Sequence, residues 1–277
     1  MNTDTTTAAL TLDIAWGSVL VRAVERDDID VQVAPSNPDR RGDREMAART
    51  QVDRAGSGVS VVSAARWAAI GANGSIDVTI EVPVRTPVTA KVHGSFIADG
   101  RLGDVRFSGS ATGIQFSDVG DLYLKTDAGV RVGRVRGTAD VRISSGSLRV
   151  DRIDGDARVK NASGDIAVGT LGGVSDLHTA SGSIEIGSAH ADLVARTAYG
   201  SLHVAEIAGE RAELHSSYGA ITAGVPAGTA VWLDALSKHG TVRSSLAASG
   251  APGAEDPKLE LRAHSGYGDI VIRYATT

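Results

Sequence analysis

A phrase of about nine residues is repeated eight times between Gly146 and Tyr218, and every copy except one opens with glycine. Small or apolar residues stand two and four places after the opening residue, as Ile166 and Val168 do after Gly164. This alternation is typical of a β-strand and not of a helix, whose apolar residues recur every three or four places. The period therefore predicts a series of short strands, each followed by a turn. In chain order the copies read GSLRVDRID, GDARVKNAS, GDIAVGTLG, GVSDLHTAS, GSIEIGSAH, ADLVARTAY, GSLHVAEIA and GERAELHSSY.

Two phrases make a coil of eighteen residues. Turn glycines recur at this interval, each preceded by serine or tyrosine: Gly146, Gly164, Gly182 and Gly200. Glycine suits a corner because it adopts φ > 0 without the steric penalty of a Cβ atom. One coil is too small to bury its apolar face alone, so successive coils must stack. We predict an all-β fold, a single-stranded parallel β-solenoid (β-helix) with about 18 residues per coil.

The stacked array is expected to be a single domain over 1–277, because a solenoid is one array whatever its length. Residues 1–93 are predicted to form irregular strands, a hairpin and one short helix at 39–50, with Pro38 at the helix start. Regular coils are predicted over 94–246, and a proline-containing loop over 247–258. Strands in 259–277 return to the repeat and are expected to close the far end, hiding an edge that another chain could otherwise pair with.

The composition excludes several classes of protein. The net charge of −5 argues against a protein that coats nucleic acid, and no stretch reaches the apolar length of a membrane span. The chain has no cysteine, which excludes disulfides and thiolate chemistry. No basic residue precedes an apolar run at the start of the sequence, so no signal peptide is visible. We expect a soluble, cytoplasmic protein.

The sequence shows no constellation of residues that indicates catalysis. The closest carboxylate pairs are Asp27 with Asp28 and Asp154 with Asp156. Both pairs fall at expected corners, where acidic residues are common because they form turns. No G-x-S-x-G motif indicates a serine nucleophile. We predict that the protein is not an enzyme and that it has no catalytic residues.

Metal and cofactor sites are not indicated either. Some calcium-binding solenoids also have a nine-residue period, but their G-G-x-G-x-D turn is missing here. His178 and His215 should lie two coils apart, about 9.6 Å at the usual strand spacing, which is too far for one zinc ion. We therefore predict no metal and no cofactor.

Three tyrosines occupy the place before a turn glycine where earlier coils have serine: Tyr199, Tyr218 and Tyr267. Equivalent residues of successive coils lie side by side, so Tyr199 and Tyr218 are expected to stack at one corner. The alternative is a platform on which a sugar ring stacks. A corner without a concave wall makes a poor carbohydrate site, so we favour a packing role.

A basic residue type stands four places before each of six consecutive turn glycines and again before Gly268. We call this set the basic stripe: Lys125, Arg142, Lys160, His178, Arg196, His215 and His264. The position alternates with inward residues, so these side chains should point outward, about 4.8 Å apart along the sheet. Acids stand two places earlier at Asp140, Asp176 and Glu213.

These acids would make the basic stripe an ordinary charge lattice on a solvated face. Arg158 and Val194 interrupt the acids, which leaves the face net positive. The alternative hypothesis is a linear site for an acidic protein or an anionic polymer, with binding that tightens as the histidines gain protons below roughly pH 6.5.

The order of VTIEVP, tandem corner glycines, VWLDALSKHG and a terminal SGYGDIVIR resembles a bacterial β-strand-repeat family, domain of unknown function 4097, also labelled "putative adhesin". The resemblance covers nearly the whole chain and implies a β-solenoid without established catalytic residues. Repeat motifs specify a fold and not an activity. We predict a non-catalytic interaction or scaffolding protein, a monomer or small homo-oligomer, with the solenoid surface as its binding face. The alternatives are a self-assembling structural filament and, less favoured, a β-helix enzyme acting on glycans.

Overall fold

The structure, a computed structural model, describes residues 8–63, 74–246 and 257–275. Its strands form one sheet of mainly parallel strands wound nearly closed around an axis, with one helix, so the predicted parallel β-solenoid is confirmed. The chain divides into two compact units, Met1–Arg136 (unit 1) and Gly137–Thr277 (unit 2). The single domain over 1–277 stays a prediction. Most of the loop predicted at 247–258 lies outside the described residues.

In unit 1, β1 and β6 are long enough to run through both walls of a coil. Their first halves pair in parallel with each other and with β4 and β7, and their second halves pair with each other and with β5 and β8. Coil stacking therefore begins at β1, within the segment that we expected to be irregular. The elements are β1 (Leu10–Val24), β2 (Asp30–Pro35), α1 (Arg41–Arg49), β3 (Gln51–Ala55), β4 (Gly58–Val62), β5 (Ile76–Pro83), β6 (Val88–Arg101), β7 (Val105–Gly109), β8 (Ala111–Val119), β9 (Leu122–Thr126) and β10 (Val130–Val135).

The first coil of unit 1 is covered by antiparallel strands and by the helix. β3 pairs antiparallel with β4 in the expected hairpin, and β2 pairs antiparallel with β5. The buried carboxylate of Asp43 in α1 accepts hydrogen bonds from the backbone N–H groups of Asn37 and Ser75, both at 3.0 Å. These bonds fasten the start of the helix to the residue before β5. The helix lies within the predicted range of 39–50.

Unit 2 is built from two ladders of parallel strands. Wall A has the order β11–β13–β15–β17–β19–β23–β21, and wall B has the order β12–β14–β16–β18–β20–β24–β22. The strands are β11 (Ala139–Ile143), β12 (Leu148–Ile153), β13 (Ala157–Ser163), β14 (Ile166–Leu171), β15 (Ser175–Ser181), β16 (Ile184–Ala189), β17 (Leu193–Tyr199), β18 (Leu202–Ile207), β19 (Arg211–Tyr218), β20 (Ile221–Val225), β21 (Ala230–His239), β22 (Val242–Ser244), β23 (Lys258–Tyr267) and β24 (Ile270–Tyr274).

The order of the last coils differs from the order of the chain. β23 pairs with β19 on one side and with β21 on the other, so the final strands insert into the stack. The expectation that 259–277 closes the far end is therefore wrong, and the outermost coil consists of β21 and β22. The inserted position buries the inner residues Leu259 and Leu261, which are at most 1% exposed.

The corner of each coil that follows a wall A strand requires glycine for two reasons. Gly182 has φ of 141°, a conformation that side chains disfavour. A Cβ atom on Gly182 would also lie 2.2 Å from the carbonyl oxygen of Gly164 in the preceding coil. Close stacking of the coils thus excludes a side chain at Gly182, in addition to the positive φ that the turn requires.

A column of polar side chains, all buried except the half-buried Ser237, lines the inside of the same corner. Each donates a hydrogen bond to the carbonyl oxygen of a corner glycine in the adjacent coil, at 2.8–3.2 Å. The donors are Asn161, Thr179, Thr197, Ser216, Ser237 and Ser265. A carbonyl that turns inward at a corner costs free energy unless it is hydrogen-bonded, so this column satisfies a need created by the turn.

Candidate functional site

The outer face of wall A brings six members of the basic stripe into one column. The strand registers align them in the order Arg142, Lys160, His178, Arg196, His215 and His264. Beyond His264 the column ends at Leu236 of β21. Lys125 lies in unit 1 on β9, where it is exposed and aligned with Ser108 of β7. The repeat period therefore positions these side chains in one column.

Three members of the column have acidic partners. Arg142 pairs with Asp140 of its own strand at 3.0 Å, and Arg196 pairs with Glu213 of the next coil at 2.9 Å. His264 Nε2 lies 3.3 Å from an oxygen of Asp234, without the alignment of a hydrogen bond. All three basic side chains are half-buried. Arg142 and Arg196 thus contact two of the three acids, Asp140 and Glu213, that the sequence analysis placed on this face.

The other three members, Lys160, His178 and His215, are exposed, and no acidic partner within 4.0 Å is present in the described part of the chain. Arg158 adds a fourth exposed side chain, two places before Lys160 on β13 and so on the same outer face. In the strand register Arg158 lies between Asp140 of β11 and Asp176 of β15, but it forms no ion pair within 4.0 Å with either of them. Arg158, Lys160 and His178 thus form the exposed, unpaired centre of the stripe.

A second column, of aromatic rings, runs along the edge of wall A. The rings of Tyr199 and Tyr218 are 5.1 Å apart at 7°, and those of Tyr218 and Tyr267 are 4.9 Å apart at 2°. The imidazole of His239 continues the stack, 4.3 Å from the ring of Tyr267. The sequence analysis did not include His239. SKHG nevertheless has the same corner pattern as SSYG and SGYG, with His239 in the place of the tyrosine.

The geometry of the aromatic column bears on whether it binds sugars. Rings that stack face to face cover one another, so the inner rings present only edges and hydroxyl groups to solvent. A sugar stacks on the face of a ring, and within the described residues only the two end rings have an uncovered face: Tyr199, next to Ser181, and His239, on the outermost strand. The column therefore favours the packing role that we predicted.

The carboxylates considered for catalysis make contacts that belong to turns. Asp156 accepts a hydrogen bond from the backbone N–H of Val174 at 2.9 Å, and Asp154 pairs with Arg152. Asp28 pairs with Arg26, whose hydrogen bond lowers the pKa of the carboxyl below its usual range. These contacts are typical of structural turn residues.

No group of three or more histidine, aspartate or glutamate side chains is placed to hold a metal ion within 8–63, 74–246 and 257–275. In the same ranges, no helix has the length and apolar character needed to cross a membrane.

Comparison with known proteins gives weak similarities only. No protein-family model matches the chain, and no curated protein matches it. The resemblance to domain of unknown function 4097 therefore stays a prediction.

Three solved structures are similar over most of the chain. A "putative cell adhesion protein" from Clostridium sporogenes ATCC 15579 is 12% identical, with 97% of this chain and 92% of that chain covered and a TM-score of 0.21. A "putative lipid binding protein" from Parabacteroides distasonis ATCC 8503 is 12% identical, with 96% and 92% covered and a TM-score of 0.43. A "putative adhesin" from Bacteroides fragilis NCTC 9343 is 13% identical, with 96% and 91% covered and a TM-score of 0.34. Similarities at this level do not assign a function to the chain.

Proposed function

We propose that the protein is a non-catalytic binding module and that the outer face of wall A binds an anionic polymer. The observation that carries the proposal is the exposed centre of the stripe, where Arg158, Lys160 and His178 stand together without an ion-pair partner. Unpaired cations on one flat face attract anionic groups and raise their local concentration. A cytoplasmic location, as expected from the sequence, is part of this proposal.

The spacing of the stripe favours an extended polymer over a compact acidic protein. Equivalent side chains recur about every 4.8 Å along the stack. A polymer with regularly placed carboxylate, sulfate or phosphate groups can follow such a column and contact several coils at once. Each exposed ion pair contributes roughly 0–1 kcal/mol, so useful affinity requires several contacts along one molecule.

The intramolecular pairs limit how much the rest of the stripe contributes. Arg142 and Arg196 already contact Asp140 and Glu213, so binding a new anion would require an exchange of partners. Lys160 and Arg158 need no exchange. Charge reversal at these two positions should therefore weaken binding more than reversal at Arg142 and Arg196.

Retention on a sulfated-polysaccharide matrix such as heparin–agarose tests the proposal. At about 10 mM salt the screening length is about 30 Å, so weak electrostatic binding is detectable. We expect the parent to be retained and the double variant Arg158→Glu/Lys160→Glu to pass through. The matched control is Arg149→Glu/Arg273→Glu, which has the same net charge but alters exposed residues of wall B.

The outcomes separate the proposal from its alternatives. Equal retention of both double variants, or no retention of the parent, would show that the stripe is only a solvated charge lattice. Release of new reducing ends from the polysaccharide during incubation with the parent would contradict the non-catalytic role and favour the glycan-acting enzyme.

A further inference from the structure

The outermost coil of unit 2 leaves a strand edge without a partner. β21 pairs with β23 on one side, and no strand in 8–63, 74–246 or 257–275 pairs with its other edge. An open edge offers unpaired N–H and C=O groups to any strand that approaches it, and proteins ordinarily block such an edge. β21 is ten residues long, which makes it a long edge.

The inner face of this coil is also incompletely covered. Val231 and Leu233 are only half-buried, whereas their neighbours Leu259 and Leu261 in the adjacent coil are fully buried. On the outer face of β21, Trp232 is 58% exposed and Leu236 is 54% exposed. The end of the stack therefore combines unpaired backbone with apolar side chains, as an interaction surface does.

The sequence of β21 is complementary to itself in one antiparallel register. If a two-fold axis passes through Leu236, Asp234 lies opposite Lys238 of the partner subunit, and Lys238 lies opposite Asp234 of the partner subunit. Asp234, Leu236 and Lys238 stand two places apart along the strand, so their side chains lie on the same outer face. The register places one opposite-charge pair on each side of a leucine pair, and cross-strand pairs of both kinds are stabilising.

We propose that two copies of the chain associate through the β21 edge, in antiparallel register about Leu236, to form a closed dimer. The two-fold symmetry makes the interface isologous, so the same edge is used by both subunits and growth stops at two. Pairing joins residues 233–239 of the two copies, which extends the wall A ladder across the interface and covers the half-buried Leu233, opposite His239 of the partner subunit.

Unit 1 gives a reason why the product is a dimer and not a filament. A head-to-tail filament would require a second open parallel edge that could receive β21 of another copy. In the described part of unit 1, the first coil is covered instead by the antiparallel strands β2 and β3. β3 is short, fully exposed and rich in polar side chains, a composition that discourages edge pairing.

The molar mass in solution tests the proposal, with charge variants that probe the register. Light scattering across a dilution series should show the parent at twice 28.5 kDa at high concentration. Asp234→Lys alone, or Lys238→Asp alone, creates two like-charge pairs by symmetry and should raise the dissociation constant at least about tenfold. The double variant Asp234→Lys/Lys238→Asp restores opposite charges and should restore the dimer.

A matched control separates the interface from the contact that Asp234 makes within its own chain. His264→Ala removes the partner that lies 3.3 Å from Asp234 and leaves the edge of β21 unchanged, so its dimer should dissociate like the parent. Far-ultraviolet circular dichroism confirms that each variant is folded.

Four results would overturn the proposal. They are a monomeric parent at all concentrations, masses that grow beyond two copies, folded single variants that dimerise like the parent, and a folded double variant that stays monomeric. Growth beyond two copies would favour the filament alternative instead.

Discussion

The rings of Tyr218 and Tyr267 lie face to face in adjacent strands, with 2° between their planes and 4.9 Å between their centroids. Tyr218 also stacks on Tyr199, so its ring has an aromatic neighbour on each face, whereas Tyr199 has one only. Two tyrosines of the same column therefore differ in the number of stacked neighbours. This difference makes the contribution of stacking to stability measurable.

Replacing Tyr218 by alanine should lower the free energy of unfolding more than replacing Tyr199. Each aromatic pair contributes roughly 0.5–1.5 kcal/mol beyond burial, and Tyr218→Ala removes two pairs while Tyr199→Ala removes one. We expect a difference of about 1 kcal/mol between the variants in urea unfolding. Tyr218→Phe keeps the ring and should remain near the parent. Equal losses from the two alanine variants would show that stacking does not stabilise the column.

The fold and the columns were largely predictable because a period of 18 or 19 residues governs the coils from Gly146 to Gly219. Corner glycines at a fixed interval determine which residues point outward, so the alignment of Lys160 with His178 and of Tyr199 with Tyr218 follows from counting. The period does not determine the order in which coils stack. SKHG at the end of β21 and SGYG at the end of β23 both fit the corner pattern, so the sequence does not predict which of the two strands pairs with β19.

The ion pairs of the basic stripe depend on side-chain conformations, and the polar column depends on a second pattern in the sequence. Arg142 pairs within its own strand and Arg196 with the next coil, a choice that spacing alone does not make. The column of polar side chains inside the corner could have been predicted from the sequence, because polar residues such as Thr197 stand three places before the corner glycines at inward positions.

The hydroxyl of Thr197 should contribute measurably to stability. It donates a hydrogen bond of 2.9 Å to the carbonyl oxygen of Gly182, and the side chain is 2% exposed. Thr197→Val keeps the shape and removes the donor, so we expect a loss of about 1 kcal/mol in the free energy of unfolding. Thr197→Ser keeps the hydroxyl, as Ser216 does in the next coil, and is the control. If the valine variant is as stable as the serine variant, the hydrogen bond is not needed.

The corner glycines should tolerate no side chain. Gly182→Val combines a disfavoured φ of 141° with a Cβ atom 2.2 Å from a backbone oxygen. We expect a loss on the order of 3 kcal/mol, visible as a lower thermal unfolding midpoint. Ser181→Ala changes the exposed residue immediately before the glycine and should stay within about 0.5 kcal/mol of the parent. Similar midpoints for both variants would disprove the role assigned to the corner.

The carboxylate of Asp269 should make the outermost coil sensitive to acid. Its Oδ1 accepts hydrogen bonds from the backbone N–H of Thr241 at 2.8 Å and from the Thr241 hydroxyl at 3.0 Å, and these bonds lower the pKa of Asp269 below its usual range. Because the pKa in the folded chain lies below that in the unfolded chain, the folded state binds fewer protons between the two values. The stabilisation is therefore present above the unfolded pKa of about 3.9 and is lost as pH falls through the folded value.

Asp269→Asn isolates the contribution of the charge, because the amide oxygen can still accept hydrogen bonds. The parent should be more resistant to urea than this variant at pH 7, and the difference should shrink as pH falls below about 4. Thr241→Val removes the hydroxyl but keeps the backbone N–H, which is the larger cause of the lowered pKa, so the variant should retain much of the pH dependence. A gap between parent and Asp269→Asn that is equally wide at pH 7 and pH 3 would rule out the charged carboxylate as its source.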